Sequence, residues 1–456
     1  MKYIFYDIET TGLNAAFDQM LQFAAIEVDE DFNEISSINI RCRILPYILP
    51  SPGALMVTRV SPAMLTSSNY SYLEMMQQIR EWISARSPAM IVGHNSIKFD
   101  ESFLRQAFYQ TLHPVYLTNT NGNCRGDTMR VAQAISIFAP DRIKVPLSDK
   151  GKQTFRLGAL VRANNIEFEE SDAHDALADV KATLELARLM RHSASEIWQQ
   201  MTLNASKKSA TEFMKRNNVF CAADNNAGNQ SCHLVSAIAA PDDGRMAVFD
   251  MAHAPEAYLG ASVEEILKLM KGPDRVIRTI AANKQPMIFD TDIGHTMLES
   301  AEFPKEVLAK HVQQIRNATE FRNRVAQVLA QYYEDQETSD YIEERIYEGF
   351  PSRNDAQLME QFHRASHSTK LAICEKFEDS RFKEFGLRLI YADNPDHLPI
   401  ILREQLTAGL QRRLHQSGKV PWLTHAKAAE EIAELRISDS NRQLLDEIES
   451  YFNGMA

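Results

Sequence analysis

The chain opens on KYIFYDIE, an apolar, β-rich run that carries two carboxylates, Asp7 and Glu9, at its end. On a strand, residues two apart share a face, so Asp7 and Glu9 lie on the same side. Their neighbours Tyr3, Ile4, Phe5 and Ile8 are apolar, which sets both acids at the buried end of the strand. Unpaired charge there is costly unless a cation or partner compensates. A solvated strand terminus is the plainer alternative. Two further acids bear on the choice: Asp100 in GHNSIKFDESFL, and Asp179 in DAHDALADV, five residues after His174. Oxygen ligands of this kind suit hard divalent cations such as Mg²⁺ or Mn²⁺, which also bind phosphate oxygens. Two such ions about 4 Å apart can hold both the attacking water and the leaving oxygen of a phosphoryl displacement. His174 adds a group that titrates near neutrality and can take a proton from water. Together these residues point to metal-dependent phosphodiester hydrolysis.

Each residue also has an ordinary structural role to weigh. Asp100 heads the predicted helix ESFLRQAF and fits an N-cap. In the third motif Asp175 is the better cap candidate, which leaves His174 just outside the helix and Asp179 one turn within it. His94 fits a hydrogen bond inside the fold better than a metal ligand. Thr10, Thr11, Gly12 and Leu13 form a turn in which Gly12 permits close approach of a ligand. Phe155, Tyr109 and Phe108 could stack on bases, which suits a single strand, or lie in the core. Arg412 and Arg413 could contact phosphates or a partner. His363 and His367, four apart on a predicted helix, lack a third ligand and read as a solvated face.

At 456 residues two or three domains are expected, and 44% apolar with 24% charged residues is ordinary for a soluble globular protein. MKYIFYDIETTGL has no apolar h-region or cleavage site, and no stretch approaches the roughly 18 apolar residues of a membrane span. The five cysteines are scattered and unpaired in sequence, suggesting neither a zinc site nor a disulfide framework, and a cytoplasmic location is expected. A net charge of −12 argues against tight duplex binding. It does not argue against a local basic track for one strand, since phosphate contacts depend on local charge.

KYIFYDIE, MLQFAAIEVD and ISSINIRCRI read as consecutive antiparallel strands, AMIVGHN as a buried strand, and DESFLRQAFYQTL and DTMRVAQAISIFA as helices. The expected fold class is α/β, a mixed sheet flanked by helices in the ribonuclease H-like arrangement. From about residue 219 the runs VFCAAD, CHLVSAIAAP, RMAVFDMA and RVIRTIAANKQPMIFD predict a small barrel or sheet interrupted by the helical EEILKLMK. From about residue 350 helices are expected to the end.

The order and spacing of DIETTGL, HNSIKFD and HDALAD resemble the DEDD family of 3′→5′ exonucleases, in its histidine-containing subclass. QFAAIEVDEDFNEI, PGALMVTRVSPAML and TFRLGALVRANNIEFEESDAHDALADVKATLELARLM are similar to the bacterial exonuclease I family in particular, with fainter counterparts in IYEGFPSRNDAQLM and LREQLTAGLQRRLHQSG. The resemblance implies an exonuclease domain over 1–193, an SH3-like domain with helical insertions over 194–349 and a helical domain over 350–456. It implies that Asp7, Glu9, Asp100 and Asp179 hold two Mg²⁺ ions, replaceable by Mn²⁺, and that His174 is the general base. Glu9, Thr10, Thr11 and Leu13 would hold the 3′-terminal nucleotide, with the leucine beside its base, and Arg156 would contact the substrate. The activity implied is 3′→5′ degradation of single-stranded DNA to nucleoside 5′-monophosphates, in DNA repair and recombination. The expected partners are single-stranded DNA and a single-stranded-DNA-binding protein, with no membrane association, for a monomer. A 3′→5′ exoribonuclease and a catalytically silent nucleic-acid-binding adaptor are the alternatives.

Overall fold

The computed structural model describes residues 2–167, 175–226, 228–240, 244–272, 274–293, 304–331, 338–438 and 441–455. Five strands, β1 (Lys2–Thr10), β2 (Met20–Val28), β3 (Glu34–Arg41), β4 (Ala89–Gly93) and β5 (Cys124–Asp127), form one sheet in the order β3-β2-β1-β4-β5. The first three pair antiparallel, and β4 and β5 add parallel to β1, as a strand-rich start followed by helix–strand alternation requires. This is the expected mixed sheet flanked by helices.

The alternation along β1 divides the core. Tyr3 and Phe5 face the helices Thr128–Phe138 and Ala176–Ser193, while Ile4, Tyr6 and Ile8 face Tyr72–Ser84 and Asp100–Gln110. Asp7 and Glu9 continue the Tyr3 and Phe5 side. They therefore lie on the face covered by the helix that carries Asp179.

A second five-stranded sheet follows: β6 (Phe220–Asn226), β7 (Asn229–Ala239), β8 (Arg245–Asp250), β9 (Ile277–Ala281) and β10 (Met287–Phe289), in the order β10-β6-β7-β8-β9 and antiparallel throughout. The helix Val263–Leu269 interrupts it where EEILKLMK predicts one. This sheet shares a core with the first, Phe138 and Phe289 lying 4.5 Å apart between ring centroids. The turn between β9 and β10 also docks on the first sheet. Arg125 Nη2 donates to the Asn283 carbonyl at 2.7 Å, and Gln285 Oε1 accepts from the Asp127 amide at 2.8 Å.

From Arg353 onward the described chain is helical apart from short connections. These helices pack back on the first sheet's periphery, Leu358, Phe362 and Phe385 against Leu73, Tyr109 and Leu112, and Leu445 and Ile448 against Leu21, Leu49 and Leu55. Buried Glu343 fastens the join by accepting from Arg388 Nη1 at 2.8 Å and Arg413 Nη1 at 2.5 Å. Arg413 also stands 4.2 Å over the Trp422 ring and is spent on the fold, so it is not available to phosphates as the sequence suggested. Exposed Arg412 remains at the surface.

Of the two alternatives for Phe108, Tyr109 and Phe155, the core holds: all three are buried, with the Tyr109 hydroxyl donating to the Ile342 carbonyl at 2.9 Å, so none can stack on a base. Two further expectations change. His363 and His367 do not share a helix, because the chain leaves helical geometry at Ala365 and a new helix starts at His367. Nor is His363 solvated. Its ring stacks on His113 with centroids 3.8 Å apart, Nε2 donates to the Leu112 carbonyl, and burial pushes its pKa down to about 4. Among the described residues no helix is long and apolar enough to cross a membrane.

Candidate metal centre and nuclease site

β1 ends at the rim of the sheet, where the Asp7 and Glu9 carboxylates meet that of Asp179, which lies in the first turn of Ala176–Ser193. One oxygen from each of the three lies within 4.8 Å of the others. Two charges at that distance repel by about 3.5 kcal/mol at an effective dielectric near 20, and Glu9 is buried with Asp7 and Asp179 half-buried. The protons respond accordingly. Burial first, then Asp100, Glu9 and Asp179, hold the Asp7 carboxyl well above the usual range. Glu9 is pushed up to about 9 by burial and Asp179, with Arg41 partly offsetting the rise. A crowded acid cluster of this kind fits a divalent cation, whose charge would replace the protons.

Asp100 enters from the other side. It is not the N-cap of its helix: Phe99 occupies that position, and Asp100 is the first helical residue, 4% exposed. Its carboxylate turns back to accept a hydrogen bond from the Ile8 amide, between the two β1 acids, and burial raises its pKa to about 8. Asp100 stands outside the three-oxygen set, yet its charge reaches both Asp7 and Glu9.

The loop before Asp100 is held by Asp127, which the sequence did not mark. Asp127 caps Thr128–Phe138 through the Met129 amide and also accepts from the amides of Asn95 at 2.8 Å and Ile97 at 3.2 Å. His94, as anticipated, serves the fold. The Phe155 carbonyl, 2.7 Å away, can only accept, so Nε2 carries the proton and Nδ1 accepts from the Thr128 hydroxyl at 2.9 Å.

The third motif begins beyond the described segment 2–167, so His174 lies outside the described residues. Its neighbour Asp175 is the cap that the sequence predicts, accepting from the Leu177 amide at 3.1 Å. Asp175 also accepts from Gln22 at 3.1 Å and from Arg41 at 3.0 Å. Gln22 pairs with Glu9 across β1 and β2, and Arg41 pairs with Gln22 across β2 and β3. This cross-strand row ties the start of the Asp179 helix to Glu9. It is legible only once the strand register is known.

The turn after Glu9 is braced from within. Thr11 is fully buried, its amide donating to the Gln19 carbonyl at 2.8 Å and its carbonyl accepting from Ser51 at 2.7 Å. A Cβ on Gly12 would come within 2.4 Å of the Asp18 carboxylate, which accounts for the glycine. Thr10 is buried with its hydroxyl donating to the Gly12 carbonyl, whereas Leu13 projects 86% exposed. Arg156 is exposed at the N-cap position of Leu157–Ala163.

A model of the Exonuclease family matches residues 4–187, and one of the Exonuclease I C-terminal domain matches residues 340–455. The chain resembles exonuclease I in both regions. It is thus a phosphodiester hydrolase of the 3′→5′ exonuclease type. Exodeoxyribonuclease I of Haemophilus influenzae is 28% identical over 383 residues, 78% of this chain and 79% of that enzyme. The Escherichia coli enzyme is 31% identical over 207 residues, 45% of this chain and 43% of that one. The fold extends further than the sequence alignment. The crystal structure of E. coli exonuclease I with a dA16 oligonucleotide has a TM-score of 0.83 at 21% identity, covering 100% of both chains. A structure of exonuclease I with SSB and an inhibitor has a TM-score of 0.83 at 20% identity, covering 100% of this chain and 99% of that one.

The raised acids set a pH dependence. A carboxyl whose folded pKa lies above its unfolded value stabilises the fold fully below about pH 4 and loses that contribution as pH rises through the folded pKa. For Asp100 and Glu9 the loss runs up to about pH 8 and 9. In EDTA the melting temperature should fall from pH 5 to 9.5, and Mg²⁺ or Mn²⁺ should raise it most at the alkaline end, where fewer protons compete. A thermal-shift series with Asp7→Asn alongside checks this. Equal metal stabilisation of the variant and the parent would exclude the cluster as the binding site.

Proposed function

We propose that the chain degrades single-stranded DNA from the 3′ end, releasing nucleoside 5′-monophosphates, and serves DNA repair and recombination in the cytoplasm. The observation that carries this reading is the meeting of Asp7, Glu9 and Asp179, with Asp100 acting on it, in an exonuclease I fold. The names of the relatives support DNA as substrate, and the dA16 complex supports a single strand. SSB in the related complex supports a single-stranded-DNA-binding protein as partner of a monomeric enzyme. In this reading residues 1–193 form the nuclease domain, 194–349 an SH3-like domain and 350–456 a helical domain.

Asp7, Glu9, Asp100 and Asp179 would hold two Mg²⁺ ions, with Mn²⁺ as a substitute. Bound there, the ions supply Lewis-acid charge for the scissile phosphate and for the water that attacks it. His174 takes the proton from that water. The Arg41–Gln22–Asp175 row holds the start of the helix that carries Asp179. Asp127 fixes the loop leading to Asp100. Glu9, Thr10 and Thr11 form the rigid floor for the 3′-terminal nucleotide, and exposed Leu13 lies against its base. Arg156 contacts the strand.

The carboxylates face phosphate rather than sugar, so substrate choice is tested on the polymers themselves. Matched DNA and RNA single strands, and duplex DNA, are incubated with Mg²⁺ and with EDTA. DNA single strands should be shortened fastest, and nothing should react in EDTA. Preferential digestion of RNA would overturn the assignment of substrate.

A further inference from the structure

Asp7 and Glu9 stand on a strand and Asp179 on a helix, whereas Asp100 hangs at the end of the connection 94–99 that leaves β4. One turn of the second sheet grips that connection from both sides. β5 is an edge strand, so no further strand takes the outer amide of Asp127 at its end. The Gln285 side chain takes it instead, Oε1 accepting at 2.8 Å. Asp127 spends its own oxygens on the connection, Oδ1 accepting from the Asn95 amide at 2.8 Å and Oδ2 from the Ile97 amide at 3.2 Å. Asn95 stands at φ +64 and its carbonyl accepts from the Lys98 and Phe99 amides, so the chain winds tightly from Asp127 to Asp100. The second grip falls on the residue after Asp100. The Asn283 carbonyl accepts from Arg125 Nη2 at 2.7 Å, and Arg125 Nη1 donates to buried Glu101 at 3.2 Å.

The turn that does this is itself fixed. Gln285 is 1% exposed at φ +44, its Nε2 donates to the Met201 carbonyl at 3.1 Å, and its own carbonyl accepts from Arg130 Nε at 2.9 Å. With its side-chain oxygen, side-chain nitrogen and carbonyl all bonded to β5 and to two helices beside it, Gln285 cannot shift without Asp127. A ligand that must stand within about 0.5 Å of its working position needs such support, and partners of the ligand are worth a large part of a metal site's affinity.

We propose that the β9–β10 turn, through the Gln285 side chain and the Asn283 carbonyl, positions Asp100 for the metal, so that the second sheet sets the affinity of the site on the first. Gln285 acts only through Asp127 and is a positioning residue. The inference rests on the reading of Asp100 as a metal ligand.

The test titrates Mn²⁺ into the full chain without DNA, reading the loss of the free ion's paramagnetic resonance signal, with the metal dependence of hydrolysis alongside. Gln285→Met keeps the length of the side chain and removes its acceptor and donor. It should weaken Mn²⁺ binding roughly 10- to 100-fold and raise the Mn²⁺ needed for half-maximal rate by the same factor, while KM for the strand stays at the parent's value. Arg125→Lys has a single nitrogen, which cannot span Glu101 and the Asn283 carbonyl as the guanidinium does. It should act in the same direction, and it decides the matter if Gln285→Met does not fold. Arg278→Met cuts a buried ion pair with Asp250 inside the second sheet, and should lower the melting temperature without changing Mn²⁺ affinity. Asp100→Asn should weaken Mn²⁺ binding, and Gln285→Met added to it should cost no more than about a further twofold, since the turn then has no ligand to place. If Asp100→Asn weakens binding but folded Gln285→Met and Arg125→Lys bind Mn²⁺ as the parent does, or if Gln285→Met costs as much with Asp100→Asn as without it, the positioning role is wrong and the metal-site reading stands. If Asp100→Asn leaves Mn²⁺ binding unchanged, the reading of Asp100 as a ligand itself fails.

Discussion

Asp7→Ala is expected to lower single-strand hydrolysis by about three orders of magnitude or more, and Asp179→Ala to do the same. Each removes one oxygen donor from a cluster whose cation charge offsets several kcal/mol in the transition state, and each 1.4 kcal/mol is tenfold in rate. Neither variant should unfold. In the metal-free protein burial, with Asp100, Glu9 and Asp179, raises the pKa of the Asp7 carboxyl well above its usual range, so its removal relieves crowding among acids. The rate is measured on purified protein with melting temperature alongside. Near-parental turnover by a folded Asp7→Ala, with the parent inactive in EDTA, would remove Asp7 from the metal site.

His174→Ala should cost roughly two to four orders of magnitude, the usual size of a general-base contribution. Strand affinity should change little, because the proposed role of the imidazole is on water rather than on the strand. The parent's rate should rise with pH through the histidine's titration and level off as the neutral ring becomes fully populated. That rise should vanish in the variant. Metal binding also strengthens with pH, so the profile is taken at saturating Mg²⁺. A variant that keeps the same acidic limb would assign the proton transfer to another group.

Where the sequence reading held, the cause was local. Alternation along KYIFYDIE sets both acids on one face of β1, and Asp175 caps its helix through the amide two residues on. Asp100 was harder. Local chemistry favours an aspartate at a helix start as a cap, but Phe99 takes that place and the carboxylate turns to the Ile8 amide, on a strand some ninety residues earlier. Stacking and core stayed open for Tyr109 because the helices that bury it follow more than 200 residues later, whereas Phe108 is buried in the core formed by β1 and the helix Tyr72–Ser84. Arg41, Gln22 and Asp127 carried no motif at all. Their roles follow from strand register and from a loop folding over a neighbouring strand, neither of which leaves a pattern in a single chain. The break between His363 and His367 was legible, since Ser366 is a favourable residue to start a new helix.

The central claim is that these acids drive metal-dependent removal of nucleotides from a 3′ end. The most direct measurement follows a single-stranded DNA labelled at its 5′ end through a time course with Mg²⁺, with products separated by length and released nucleotides identified. The account predicts a ladder shortening one nucleotide at a time from the 3′ end, 5′-monophosphates as product, and no reaction in EDTA or with Asp7→Ala. Immediate release of the labelled 5′ nucleotide, internal cuts without a ladder, or an unchanged ladder in EDTA would contradict it.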